Sequence, residues 1–282
     1  MKRMLGSWFH RHANSPLRRC YFWLLRRLFG VFGKRQGVLF VDINGYRYKR
    51  VVFKDTLQAS SVQTNLMTFS DAGLFPKLID RYENELLLEF VEGESFDPEQ
   101  ASHRAGFVGL MQALYTRDRD QATVDSDQWL LQLNTDLDFL VRCGVLESDR
   151  HHALLQAVLP LVPDTLVLGW DYMDPVSKNF VFHDDRLMAI DVESIASREP
   201  IGTGLVAASL HWLSDDGLGK LVSEFDQAPA DLLRQLPFLT IAYPVGWCKR
   251  KILQGKHNFL PKAGLETRVE LAQQLADYAS NH

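Results

Sequence analysis

Two periodicities divide this chain, and the division falls near Gly93. Before it, short runs rich in β-branched and aromatic residues alternate with turn residues; beyond it, apolar residues recur at three- and four-residue spacing. Gly37 to Ile43 and Tyr46 to Lys54 read as strands flanking Asn44-Gly45, the strongest short-range hairpin signal, because both turn residues tolerate positive φ. A helix is expected over Ser60 to Ala72. Two further strands are expected at Lys77 to Tyr82 and Leu86 to Val91, linked by Glu83-Asn84-Glu85. The second block predicts helices over Ala101 to Leu114, Ser126 to Val141 and Ser148 to Leu161. From Gly204 to His282 it is again mostly helical, with breaks near Pro229, Pro237, Pro244 and Pro261. A strand block followed by a helix block is an α+β arrangement.

The chain has 282 residues, 46% hydrophobic and 23% charged, an ordinary globular make-up with room for one large or two small domains. Its charge is unevenly spread. Between Met1 and Val41 there are nine basic residues and no acidic one, so the formal net charge of −4 conceals a balance of −13 over the remainder. The same arm carries Trp8, Phe9, Tyr21, Phe22, Trp23, Leu24, Leu25 and Phe29, which is too apolar for a disordered nucleic-acid tail and suits an anionic membrane surface. An amphipathic helix packed on the body fits the same residues. Arg26-Arg27 interrupts the apolar run and no small-residue cleavage site follows, so neither export nor a spanning helix is expected. The cysteines at 20, 143 and 248 have no metal-type spacing, which favours a reducing, cytoplasmic compartment.

The densest polar pattern lies in the helical block. Asp174 is followed five residues on by Asn179, and twelve further on by Asp191. Phe180 to Phe182 and Leu187 to Ile190 read as short apolar strands around a polar turn containing His183, Asp184 and Asp185. Such a hairpin would return Asn179 and Asp191 to one end, where two oxygen ligands can share a divalent cation. An isolated Asp-x4-Asn means nothing, since both residues cluster in turns; the weight lies in two spacings meeting one strand–hairpin–strand context. A frame using Asp171 instead fails, because it puts Val176 at the asparagine position.

These residues resemble the protein-kinase-like superfamily, in its aminoglycoside phosphotransferase, choline kinase and lipopolysaccharide kinase branches. Those carry a catalytic Asp, an Asn five residues later, and then Ile-Asp with an aromatic or aliphatic residue and often Glu, which Ile190-Asp191-Val192-Glu193 matches. The resemblance covers roughly residues 37–193. It implies a bilobal α+β fold: a basic amphipathic arm over 1–36, a small antiparallel N-lobe with five strands and one helix over 37–93, and a mainly helical C-lobe with the catalytic loop over 94–282. It also implies a kinase using ATP and Mg2+, with Asp174 taking the proton of the acceptor hydroxyl, Lys178 neutralising charge on the transferred group, and Asn179 and Asp191 holding the metal. Val51-Val52-Phe53-Lys54 resembles the family's apolar triplet before its phosphate-holding lysine, which nominates Lys54, with Val52 roofing the base; Lys49, an odd number of residues away, is the fallback. Glu89-Phe90-Val91-Glu92-Gly93 stands where the family has its hinge, so that backbone groups of Glu89 and Val91 would meet the adenine, although an ordinary strand end would look the same.

Three departures stand out. No Asp or Glu occurs from Thr56 to Ser70, so the family's helix glutamate is missing, and Gln63 is left to bond the lysine without a Coulomb term. The glycines at 30, 33 and 37 lack the G-x-G-x-x-G spacing, and Tyr172 replaces the family's histidine two residues before the aspartate. The resulting expectation is an ATP-dependent kinase acting on a hydroxyl of a sugar or glycolipid. The basic arm extends it to a lipopolysaccharide core sugar, with the protein cytoplasmic and peripheral on the inner membrane. No nucleic-acid partner is expected. The alternatives are a soluble aminoglycoside- or choline-type kinase, whose cationic acceptors would suit the acidic body, and a kinase-fold binding module with little turnover, suggested by the missing glutamate.

Overall fold

The structure, a computed structural model, describes residues 37–117, 122–184, 186–212, 217–256 and 265–280, with side chains in the last segment from 268. The basic arm, the glycines at 30 and 33, Cys20, Asp185 and Pro261 lie outside the described residues. The chain forms two compact units. One ends at Glu94 and also takes in His183–Glu193; the other comprises Ser95–Phe182 and the chain from Ser194 onward. The segment 183–193 therefore groups with the strand-rich unit, where the sequence assigned it to the helical half.

In the first unit, β1 (Gly37–Ile43) and β2 (Tyr46–Val52) form the expected hairpin, with Asn44 and Gly45 at φ 53° and 87°. α1 (Thr56–Thr68) starts four residues earlier than the periodicity indicated, because the Asp55 side chain caps it by accepting from the Gln58 backbone N–H at 2.9 Å. β3 (Leu78–Tyr82) and β4 (Glu85–Glu89) follow, and the antiparallel sheet runs in the order β1-β2-β4-β3. Among the described residues this sheet has four strands, one fewer than the resemblance implies. Val51 lies opposite Leu86, and Lys49 opposite Leu88. Val51, Leu86 and Leu88 are buried with Phe53, between β2 and α1, and with Ala59, Val62 and Leu66 of α1, which form the core of this unit.

A two-residue strand β5 (Glu94–Ser95) marks the junction, after which come α2 (Ala101–Thr116), β6 (Ala122–Asp125), α3 (Asp127–Arg142) and α4 (Ser148–Val158). β7 (Thr165–Tyr172) leads to the polar loop and β8 (Phe180–His183), at whose end the chain enters the first unit for β9 (Arg186–Ala189) before returning for β10 (Ile195–Pro200). α5 (Thr203–His211), α6 (Gly217–Ser223), α7 (Ala230–Leu253) and α8 (Leu265–Ser280) complete the second unit. Its small antiparallel sheet, ordered β10-β7-β6, is absent from the expected helices. β6 has only four residues, too few to establish an alternating pattern.

Pro237 and Pro244, expected to break the helix, lie inside the 24-residue α7. Both are buried in a helix that packs against α3, α5 and α8, so tertiary burial overrides the loss of two backbone donors. Gln235, fully buried on α7, accepts from Val167 N–H at 2.9 Å and donates to the carbonyls of Val167 (3.2 Å) and Ile201 (2.6 Å). One amide thus ties α7 to β7 and to the turn after β10.

Candidate active site

The loop after β7 in the second unit is held from below. Asp171, completely buried, accepts at Oδ1 from Tyr172 N–H (2.7 Å) and the Tyr115 hydroxyl (3.3 Å), and at Oδ2 from the N–H groups of Gly202 and Gly204 (3.0 Å each). Burial pushes this carboxyl up to about 7, against the opposing pull of its four donors. A Cβ at Gly204 would lie 2.3 Å from Asp171 Oδ1 and 2.5 Å from the Tyr172 carbonyl, so only glycine permits this approach. Tyr172 is buried against Phe180, with ring centroids 5.2 Å apart. Phe96, Phe107 and Trp212 extend this aromatic floor, and the Trp212 indole N–H donates to the Pro175 carbonyl.

Above this floor Asp174 is exposed. Buried Asn179 donates through Nδ2 to the Asp174 carbonyl at 2.8 Å and to its carboxylate Oδ2 at 3.2 Å, while Asn179 N–H closes a turn onto Val176. The five-residue spacing is thus one that lets the asparagine clamp the aspartate. Lys178, beside it in a single 3₁₀ turn, is exposed.

Asp174 opens on a cavity of about 500 Å³ lined entirely by the second unit. Trp129, Tyr243 and Trp247 give it aromatic walls; Asp136, Glu199, His211, Arg250 and Lys251 supply its charged and titratable groups. Desolvation lowers the pKa of His211, with Lys251 acting in the same direction and Asp174 opposing. Burial raises Glu199, against the pull of Arg250, and likewise keeps Tyr243 protonated. Asp136 is matched by Lys249 at 2.5 Å and by the Gln132 amide at 2.6 Å.

In the first unit, the lysine that meets the Ile190–Glu193 segment is Lys49. Its ammonium donates to the Ile190 carbonyl at 2.6 Å; burial lowers its pKa, opposed by the charges of Asp191 and Glu193. Lys54 corrects the sequence expectation: β2 ends at Val52, and Lys54 is exposed in the bend before α1. Side chains alternate along β2, so Val51, not Val52, shares the face of Lys49. Gln63 does not serve a lysine either; its amide oxygen accepts from Arg81 at 2.7 Å, and Arg81 also binds Ser60 and the Thr56 carbonyl. The negative charge missing from α1 is supplied to Lys49 by Asp191 and Glu193. In the stretch the resemblance assigns to a hinge, Glu89 N–H is committed to the Lys77 carbonyl at 2.9 Å, while Val91 lies half-buried in the non-strand stretch 90–93. Beside it the Arg47 guanidinium lies 4.7 Å from the Phe90 ring centroid and 5.1 Å from that of Phe40.

Both candidate metal ligands carry oxygen donors suited to a hard cation. Desolvation raises the pKa of Glu193, with Asp191 acting in the same direction and Lys49 opposing. Asp171, His211, Glu193 and the basic pair at 250 and 251 were not assigned site roles from sequence. Gly202-Thr203-Gly204 was the available signal for a buried anion acceptor such as Asp171. His211, Arg250 and Lys251 have none, since α5 and α7 bring them in from up to 77 residues beyond Asp174 in the chain.

The sequence matches no family model and no curated protein. The fold does match solved structures over most of its length. Choline kinase LicA from Streptococcus pneumoniae aligns over 95% of this chain and 100% of its own, at 14% identity and a TM-score of 0.54. A macrolide 2'-phosphotransferase type I aligns over 93% and 98%, at 13% identity and a TM-score of 0.57. An ADP-bound aminoglycoside phosphotransferase, APH(2'')-Ib, aligns over 89% and 98%, at 13% identity and a TM-score of 0.53. These are protein-kinase-like folds, and this chain has the same fold.

Proposed function

We propose that this chain is an ATP-dependent phosphotransferase that adds phosphate to a hydroxyl of a sugar or glycolipid. The observation that carries this is the exposed carboxylate of Asp174, clamped by Asn179 at the edge of an aromatic-walled cavity. The fold supports it: proteins sharing it are named as kinases and phosphotransferases of choline, aminoglycosides and macrolides, and one of them is bound to ADP. Asp174 orients the acceptor hydroxyl and takes its proton as the phosphoryl group transfers. His211, kept neutral by its lowered pKa, leaves the charge of Asp174 uncancelled. Lys49 steadies the donor phosphates and Lys178 neutralises charge on the transferred group. The hinge around Val91 contacts the base, with Glu89 limited to its carbonyl. Asn179 and Asp191 supply oxygens to a magnesium ion, which when bound offsets phosphate charge.

The acceptor is assigned to an envelope glycolipid, a lipopolysaccharide core sugar, with residues 1–36 docking on the anionic inner leaflet from the cytoplasm. The basic, apolar composition of that arm supports this part. No described helix is long and apolar enough to cross a membrane. The test is transfer of label from [γ-32P]ATP to envelope lipids and to a soluble sugar pool, by wild type and by Asp174→Asn. Wild type should label at least one pool and the variant neither. Equal labelling by both proteins would remove the assigned base, and labelling of neither pool by wild type would leave a binding module.

A further inference from the structure

We infer that the cavity beside Asp174 takes an acceptor bearing an anionic group, a sugar phosphate or sugar acid, whose charge is received by Arg250 and Lys251. This rests on the phosphotransferase reading for the word acceptor, but its argument comes from the cavity lining. Asp136 is already neutralised by Lys249 at 2.5 Å and bonded by Gln132 at 2.6 Å, so it has little charge to offer a cationic ligand. Burial raises the Glu199 carboxyl, and the charge of Arg250 opposes that shift. Asp174, at the reacting end, is committed to the hydroxyl.

The cations are placed differently. The Arg250 guanidinium lies 5.3 Å from the Tyr243 ring centroid and the Lys251 ammonium 4.9 Å from that of Trp247, successive residues in the last turn of α7. A guanidinium carries five N–H donors in a planar fork, the geometry that meets a two-oxygen anion bidentately. Lys251 influences the same His211 that senses Asp174, which relates this positive end of the cavity to the base. Trp129 and Trp247 add flat apolar walls of the kind that pack on the C–H face of a sugar ring. An anion at one end, a ring on the walls and a hydroxyl at Asp174 together describe the ligand.

Trp129 and Trp247 line the cavity, so intrinsic fluorescence of the full chain can report binding without turnover. Four probes are titrated: glucose 6-phosphate, glucuronate, glucose and glucosamine. At least one anionic sugar should bind about tenfold tighter than glucose, as one charge-assisted contact warrants, with glucosamine no tighter than glucose. A preference for glucose 6-phosphate identifies phosphate as the group read, and one for glucuronate identifies carboxylate. Arg250→Gln or Lys251→Gln, with an unchanged unfolding midpoint, should abolish that preference and leave glucose binding as it was. Tighter binding of glucosamine, no saturable change with any probe, or a preference kept in both variants would overturn the inference. Asp174→Asn separates the two readings: it should keep the preference for the anionic sugar over glucose while losing transfer, and transfer retained by it would defeat the catalytic assignment alone.

Discussion

The two units hold their key charges by opposite means. In the second, a buried carboxyl, Asp171, is surrounded by four donors, three of them backbone N–H groups, and Asp174, the proposed base, stands exposed above it. In the first, Lys49 has a single carbonyl partner at 2.6 Å and otherwise balances burial against the charges of Asp191 and Glu193. The first arrangement fixes geometry through the backbone; the second sets a charge balance. A site fixed by backbone donors separates stability from chemistry, because different residues carry each. A site made of mutually balancing charges cannot be altered at one member without shifting the others.

The largest expected effects test that separation in the second unit. Asp174→Asn keeps an acceptor for the Asn179 amide but removes the proposed base, so transfer should fall about 10²- to 10⁴-fold while the unfolding temperature stays put. A lower unfolding temperature would mean that the exposed residue is structural after all. Asp171→Ala should do the reverse. It strands the N–H groups of Gly202 and Gly204, at a cost of roughly 2–4 kcal/mol in chemical denaturation. The pH dependence has a definite sign. Because burial raises the folded carboxyl to about 7, its contribution is fully present below the ordinary carboxylate value and is lost as pH rises through about 7. The stability gap between wild type and Asp171→Ala should therefore narrow between pH 4 and pH 8.

The same contrast explains what could be read from sequence. That Asp174 and Asn179 belong together is visible in the sequence because the clamp is local: five residues suffice for Nδ2 to reach both the carbonyl and the carboxylate, while the roles proposed for them are not visible there. The β1–β2 hairpin was legible for a similar reason, Asn44-Gly45 determining its own backbone. The lysine was not, since a triplet resembling a known pattern says nothing of where a strand stops; β2 ends at Val52, and Asp55, capping α1, pulls Lys54 into the connecting bend. Nor could the absent helix glutamate be judged alone, because the opposing charge for Lys49 comes from Asp191 and Glu193, more than 140 residues away. The prolines of α7 misled for a related reason: local rules forbid them, and burial against three other helices permits them.

A paired substitution in the first unit sharpens the comparison at intermediate scale. Lys49→Met removes a charged donor from the assigned phosphate site and should lower kcat/KM for ATP roughly 10- to 100-fold, the worth of one charge-assisted contact. Lys54→Met, in an exposed bend, should change it less than about twofold. Equal losses in the two variants would return the phosphate role to both lysines. Because Lys49 opposes the raised pKa of Glu193, its removal should push that carboxyl higher still, a shift that NMR titration of labelled glutamate can follow. No comparable shift should accompany Lys54→Met.

The smallest expected effect lies at His211, where the second unit also has a charge balance. Its imidazole is held below the ordinary histidine value by desolvation and by Lys251, and pulled back up by Asp174. At neutral pH it is uncharged. As pH falls through its lowered pKa it gains a proton, and the resulting cation sits close enough to Asp174 to offset the negative charge that attracts the acceptor proton. His211→Gln keeps a polar side chain but cannot charge. Its kcat/KM should match wild type above pH 7 and exceed it about two- to threefold at the acid end, a modest change expected of one neighbouring charge in a solvent-accessible cavity. If the two profiles coincide down to pH 5, His211 does not act on Asp174.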